Sequence, residues 1–227
     1  VNSKTNKRMA YWSFFIPFFE SIYTKRVRIV GRKRKNSPNV QVYGVPFRVT
    51  EMKATTKGQI RWYVSMREPD GSVLHGENVG KLVTAKSVKA EAVIKAAESI
   101  IRENSERVLE WLRAGRLKEA TPELLLLVLP EESIERVYGK SDEEHRELVR
   151  QVVKLLPPIS ELQEKMETVT LRAVEKVVAV KEKGSVVKRV LNRLYDEAVA
   201  QGILQENNVK KLLVTVRSEG EKADKNI

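Results

Sequence analysis

Residues 47–77, FRVTEMKATTKGQIRWYVSMREPDGSVLHGE, decide the fold class. Segments 47–55 and 60–68 are rich in β-branched and aromatic residues. Lys57-Gly58 falls between them and Asp70-Gly71 follows the second, the pattern of a β-hairpin. A third strand is expected over 72–77, completing a small antiparallel sheet. Alternation puts Arg61 and Tyr63 on one face and Trp62 and Val64 on the other, so one face is core while the other offers a cation and an aromatic ring to a ligand.

Downstream, a helix N-capped by Thr84 is expected. Val88, Ala92, Val93, Ala96, Ala97, Ile100 and Ile101 recur at helical spacing, a stripe suited to covering the sheet. The helix continues through Val108 and Leu112 or restarts at Ser105, and Gly115 ends it. Thr121-Pro122-Glu123 starts a short helix that Pro130 stops. Ser141 with Glu144 reads as a capping box, Pro157-Pro158 closes that helix, and Ser160 with Gln163 opens the next. Segment 185–201 carries an apolar stripe of Val187, Val190, Leu191, Leu194, Tyr195, Ala198 and Val199, with Gly202 as terminator.

Residues 209–217 read as a strand and 218–227 as a tail. The expected class is α+β: a small three-stranded antiparallel sheet with a covering helix, then a mainly helical domain, for which a helix-turn-helix or winged-helix end is one reading. The expected division is 1–39 as an apolar arm and basic linker, 40–115 as the basic sheet and helix module, 116–217 as the helical domain with its terminal strand, and 218–227 as the tail. At 227 residues the chain is long enough for two compact units with their own cores.

Charge is segregated along this order. Residues 1–67 hold 15 Lys/Arg against Glu20 and Glu51, a net of +13, whereas 68–227 hold 27 basic and 28 acidic side chains. Residues 24–39, TKRVRIVGRKRKNSPN, read as an extended basic loop. Such polarity suits a polyanion, because each cation placed on a phosphate releases a condensed counterion. A solubilising basic tail is the plain alternative.

Other chemistry is disfavoured. With no cysteine and only His75 and His145 as imidazoles, neither a disulfide framework nor a zinc site is expected, and no cofactor is implied. No Gly-rich phosphate loop and no Ser nucleophile with a histidine partner is evident, and four aspartates are too few to suggest a two-metal nuclease. The expectation is a protein that is not an enzyme. Glutamate outnumbers aspartate 26 to 4 amid abundant Val, Lys and Arg, the bias of hyperthermophile proteins.

Residues 9–23, MAYWSFFIPFFESIY, are the most apolar stretch. They fall short of the roughly 20 apolar residues a membrane helix needs. With Lys25, Arg26 and Arg28 next, they make a poor signal peptide. This arm packs on the protein's own core, docks a neighbouring subunit, or lies on a membrane surface, the last being least favoured. A cytoplasmic location, or one inside a virion, is expected. The chain opens at Val1 rather than methionine, which leaves an upstream piece open.

The nucleic-acid contacts expected are Arg26, Arg28, Arg32, Lys33, Arg34 and Lys35 in the linker and Arg48, Lys53, Arg61, Tyr63 and Arg67 in the sheet. A second set lies on the helix at 185–201. Together with segment 170–182 and a turn at Lys183-Gly184 it has helix-turn-helix spacing, which would present Lys188, Arg189, Asn192 and Arg193 to a groove. A solvated sheet face and an ordinary amphipathic helix pair are the alternatives.

Residues 185–209, SVVKRVLNRLYDEAVAQGILQENNV, resemble the last helix of the core-binding domain in phage-type tyrosine recombinases, with Ala198, Gly202, Ile203, Leu204 and Asn207 carrying the likeness. The sheet and helix, flanked by GRKRKNSPN and AKSVKAEAVIKAAESI, are similar in layout to the arm-type DNA-binding domain of lambda-like integrases. The family's catalytic domain would follow residue 218, where only a short tail remains. The resemblance therefore implies a fragment or a catalytically silent relative that keeps the DNA grip. Residues 72–101 also resemble the β–β–α end of a double-stranded-RNA-binding domain, which keeps RNA open. The function expected is non-enzymatic nucleic-acid binding, with duplex DNA favoured. The alternative is a structural assembly protein, such as a viral nucleocapsid subunit or a ribosome-associated RNA-binding protein, that self-associates through 9–23.

Overall fold

The structure, a computed structural model, describes residues 27–30, 39–52, 60–74, 79–85 and 90–209. The apolar arm 9–23, Arg26, the cluster Arg32, Lys33, Arg34 and Lys35, Lys53 and the tail lie outside the described residues. The chain divides into two compact units, Val1–Ala97 and Glu98–Ile227. The protein is α+β, as expected.

The first unit contains one antiparallel sheet whose strands lie in sequence order: β1 (Val27–Val30), β2 (Asn39–Val42), β3 (Val45–Met52), β4 (Ile60–Met66) and β5 (Gly80–Ala85). The expected three strands thus become five. The strand β1 interrupts the basic loop expected over 24–39. Alternation extends upstream of Phe47, since Val40, Val42, Val45 and Phe47 are all buried. Between the paired Val42 and Val45, Tyr43 (φ +56°) and Gly44 (φ +86°) form a two-residue turn with positive φ at both positions, the twist a tight hairpin requires.

The strand expected over 72–77 is absent from the described part of that segment. The Asp70-Gly71 turn does form: Gly71 has φ +84° and Asp70 Oδ1 accepts from Ser72 N at 2.8 Å. It yields only an isolated bridge between Arg67 and Val73. The chain rejoins β4 at Val79, whose carbonyl accepts from Met66 N at 2.9 Å, and then runs as β5. Thr84 is therefore a strand residue paired with Arg61 rather than an N-cap. Pairing along a whole strand satisfies many backbone groups at once, which outweighs a single cap.

The described helices are α1 (Ala90–Glu103), α2 (Ser105–Arg113), α3 (Pro122–Val128), α4 (Glu131–Tyr138), α5 (Glu143–Val153), α6 (Ile159–Val177) and α7 (Lys181–Ala200). The unit boundary falls within α1. Val93, Ala96, Ala97, Ile100 and Ile101 are buried, as their spacing predicts, and the helix restarts at Ser105 after Asn104. Gly115 terminates α2 with φ +63°: Gly115 N donates to Leu112 O and Arg116 N to Trp111 O, the paired bonds of a Schellman end.

Two caps differ from expectation. Asp142, not Ser141, caps α5 by accepting from His145 N at 2.8 Å, because one carboxylate serves both that amide and the His145 ring. Pro158 precedes α6, and Ser160, inside its first turn, donates instead to the Lys118 carbonyl at 2.9 Å.

In the second unit α7 packs against α4, α5 and α6. Of the predicted stripe, Val187, Val190, Leu191, Leu194, Tyr195 and Ala198 are buried and Val199 is partly so. Two polar ties hold it. Arg136 grips Glu197 through Nε–Oε1 (2.7 Å) and Nη2–Oε2 (3.1 Å), and Arg113 donates to the Gln201 carbonyl at 2.9 Å, a cation at the negative end of the helix. The expected turn at Lys183-Gly184 does not exist. The connection is residues 178–180, Val178 being extended (φ −110°, ψ 109°), and Gly184 N already donates to Val180 O at 3.0 Å within α7. Val209, the first residue of the expected terminal strand, is in a helical turn, and 210–217 lie outside the described residues. No helix among the described residues is long and apolar enough to cross a membrane.

Candidate nucleic-acid interface

Strand register sorts the sheet into two unlike faces. Residues directly opposite in an antiparallel ladder project to the same side, and alternate residues to opposite sides. The pairs Val40↔Phe47, Val42↔Val45, Val49↔Val64 and Phe47↔Met66 therefore share one face, and all these residues are buried. Trp62 joins them. This is the core side.

The other face is polar and cationic. It is set by the pairs Asn39↔Arg48, Arg48↔Ser65, Thr50↔Tyr63 and Met52↔Arg61, and on the β5 side by Arg61↔Thr84, Tyr63↔Leu82 and Ser65↔Gly80. Along β4 it shows Arg61, Tyr63 and Ser65, with Arg67 next in the same alternation. The expected separation of Arg61 and Tyr63 from Trp62 and Val64 is what the register shows. Arg28 lies in β1, paired with Gln41, while its neighbour Arg26 and the cluster at 32–35 lie outside the described residues.

Arg48, Arg61, Tyr63 and Arg67 are each partly exposed. Ser65 links two of the arginine strands: its hydroxyl donates to the Arg48 carbonyl at 3.4 Å and accepts from Arg67 Nη2 at 3.5 Å. Burial, and after it the charge of Arg48, pull the Arg67 guanidinium below its ordinary pKa. Arg61 Nε and Arg67 Nε are both shielded from solvent without a hydrogen-bond partner. Arg146 Nε in the second unit is in the same condition, so the feature is not peculiar to this face.

One feature of the face was not expected from sequence. Gly80 sits under the Tyr63 side chain: a Cβ there would lie 2.6 Å from Tyr63 Cζ and 2.7 Å from both Tyr63 Oη and the Val64 carbonyl. The ring leans down along the sheet, where a strand side chain ordinarily stands off it. Beside it Leu82 is 51% exposed and Met52 44% exposed. Polarity alternation gave no signal for this strand, since Lys81 pairs on the core side and Leu82 on the other; the β-branched pair Val83-Thr84 was the available one.

The four helical candidates meet different fates. Arg189 and Arg193 are exposed and Lys188 is partly so, opposite the buried stripe of α7. The Arg193 guanidinium lies against Gly139, where a Cβ would come within 2.6 Å of Nη1. Asn192 is engaged internally: Asn207 Nδ2 donates to its carbonyl (3.0 Å), to its Oδ1 (2.7 Å) and to Asp196 Oδ1 (3.0 Å). An asparagine used this way has less left to read a base edge.

No protein family, curated protein or solved structure matches the chain.

Proposed function

We propose that this chain is a non-enzymatic nucleic-acid-binding protein that grips duplex DNA by its phosphates, with the polar face of the β-sheet as the gripping surface. The supporting observation is the register that gathers Arg48, Arg61 and Arg67 on one face, opposite the apolar core. Arg67, just past the end of β4, is six positions beyond Arg61, so at about 3.3 Å per residue the two lie roughly 20 Å apart along the line of the strand. At one phosphate per 3.4 Å of each DNA strand, that length of duplex offers about six phosphates on one strand. Arg28 and the cluster at 32–35 extend the same cationic stretch of sequence.

Phosphate contacts fix position without reading sequence. Any reading of sequence falls to α7 through Lys188, Arg189 and Arg193, and the likeness to the core-binding helix of tyrosine recombinases belongs to this part of the proposal. It is supported by the end of α7 at Ala200, followed by Gly202-Ile203-Leu204, with Asn207 folded back on Asn192.

The test is a salt titration of binding to duplex DNA, duplex RNA and single-stranded DNA. It uses the wild-type chain, a variant with Arg48, Arg61 and Arg67 changed to Gln, and one with Arg32, Lys33, Arg34 and Lys35 neutralised. For duplex DNA the slope of log affinity against log salt is expected to fall by about 0.9 per lost contact, close to 3 for the sheet variant. An unchanged slope, or no retention of any polyanion near 0.15 M salt, overturns the proposal. Coating of long polymers without saturation of short duplexes would favour an assembly subunit.

A further inference from the structure

The cationic face is not uniform along its strands, and the difference has a chemical meaning. Towards one end lie Arg48 and Arg67. Towards the other, cross-strand pairing sets Tyr63 beside Leu82 and Met52 beside Arg61, and the two aliphatic side chains are about half exposed. Phosphates reward cations and give nothing to Leu82 or Met52, and of Tyr63 they can use only the hydroxyl, not the ring. A duplex shows apolar surface inside its grooves, but Tyr63 is folded down over Gly80 and does not stand out to enter one. A flat base that has left its stack can come down on such a ring instead.

We infer that the Tyr63 ring, held along the sheet by the missing Cβ of Gly80 and bordered by Leu82 and Met52, is a stacking platform for an unpaired base, so that the preferred ligand is a duplex containing an unpaired stretch. This rests on the sheet face being the nucleic-acid surface. It adds a division of labour to that face. Arg48 and Arg67 hold the backbone of paired DNA, and Arg61 neutralises the phosphate next to the base received by Tyr63. Gly80 belongs to the device because any other residue there would push the ring off the strand. Selectivity for the unpaired site follows, since a base already out of its stack avoids the cost of unstacking.

Fluorescence anisotropy on the full chain tests it with two probes at the same ionic strength: a continuous DNA duplex of about 20 base pairs, and the same duplex with three unpaired thymines at its centre. The bulged probe is expected to bind about tenfold more tightly, as one base–ring stack implies. Tyr63→Leu should bring the bulged probe down to the affinity of the continuous duplex, and Tyr63→Phe should keep the preference. Gly80→Ala should lose it although the tyrosine remains, with circular dichroism confirming the sheet. Equal affinity of the wild-type chain for both probes overturns the inference, as does equal weakening of both by Tyr63→Leu or loss of the preference in Tyr63→Phe. Salt-sensitive but equal binding of both probes removes the platform and leaves the phosphate grip standing. Binding of neither removes both.

Discussion

Thr170 and Tyr195 form a polar contact inside the second unit, with oxygens 2.8 Å apart and both residues buried. The Thr170 hydroxyl donates to the Met166 carbonyl, so Tyr195 is the donor to Thr170. Thr170→Val removes the acceptor and strands a buried phenol. Urea denaturation should show a loss of about 1–3 kcal/mol, and a smaller one for Tyr195→Phe, which removes donor and demand together. Burial pushes the Tyr195 pKa up to about 12, only partly opposed by the Thr170 hydrogen bond. A tyrosine raised in the folded state gives its full contribution below the unfolded value near 10, and that contribution is lost as pH rises through the folded value. The wild-type chain should therefore lose stability between pH 10 and 12 more steeply than Tyr195→Phe. Parallel curves would show that the phenol is hydrated. At this scale the sequence was legible where period alone decides. Trp62 and Val64 inward with Arg61 and Tyr63 outward follow from alternation. The capture of Asn192 by Asn207 depends on how the chain turns after α7, which spacing along one helix does not encode.

Elements were legible where a backbone signal has one meaning. Gly115 and Gly202 mark helix ends because both sit at positive φ, and Pro130 ends α3 because it cannot continue a helix, while also leading into α4. They were misread where a signal has two meanings. Thr84 suits an N-cap and also a strand, and its partner strand β4 is separated from β5 in the sequence by residues 67–79. Lys183-Gly184 reads as a turn, yet Gly184 is helical and buried, with room for a Cβ at 3.9 Å from Val174 Cγ1 and Val178 Cγ1, which is ordinary contact. Gly184→Ala should thus stabilise the chain by roughly 0.4–1 kcal/mol through the unfolded state, where a turn glycine would have lost stability. Gly139→Ala makes the contrast. With φ +56° and Arg193 at 2.6 Å it should destabilise by more than 1 kcal/mol, and thermal melts of the two variants should move in opposite directions.

For the whole molecule, the excess of +13 over residues 1–67 is plain from composition, and it is the ground on which a polyanion ligand is proposed. What composition could not supply is the direction in which those charges point. For Arg48 and Arg61 that needed the register of β3 on β4. Arg67 lies close enough to the charge of Arg48 to have its pKa depressed, after burial, by that neighbour, and its Nε has no partner. The fold meets part of the demand of this guanidinium, since its Nη2 donates to Ser65 at 3.5 Å. On the proposed function, the repulsion from Arg48 is what a phosphate would offset. Arg67→Met keeps an aliphatic stem and removes the charge. It should leave the melting temperature unchanged or higher while lowering duplex affinity and reducing the salt slope by about 0.9. A lower melting temperature with unaltered binding would make Arg67 a structural residue and move the polyanion site elsewhere in the cationic third of the chain.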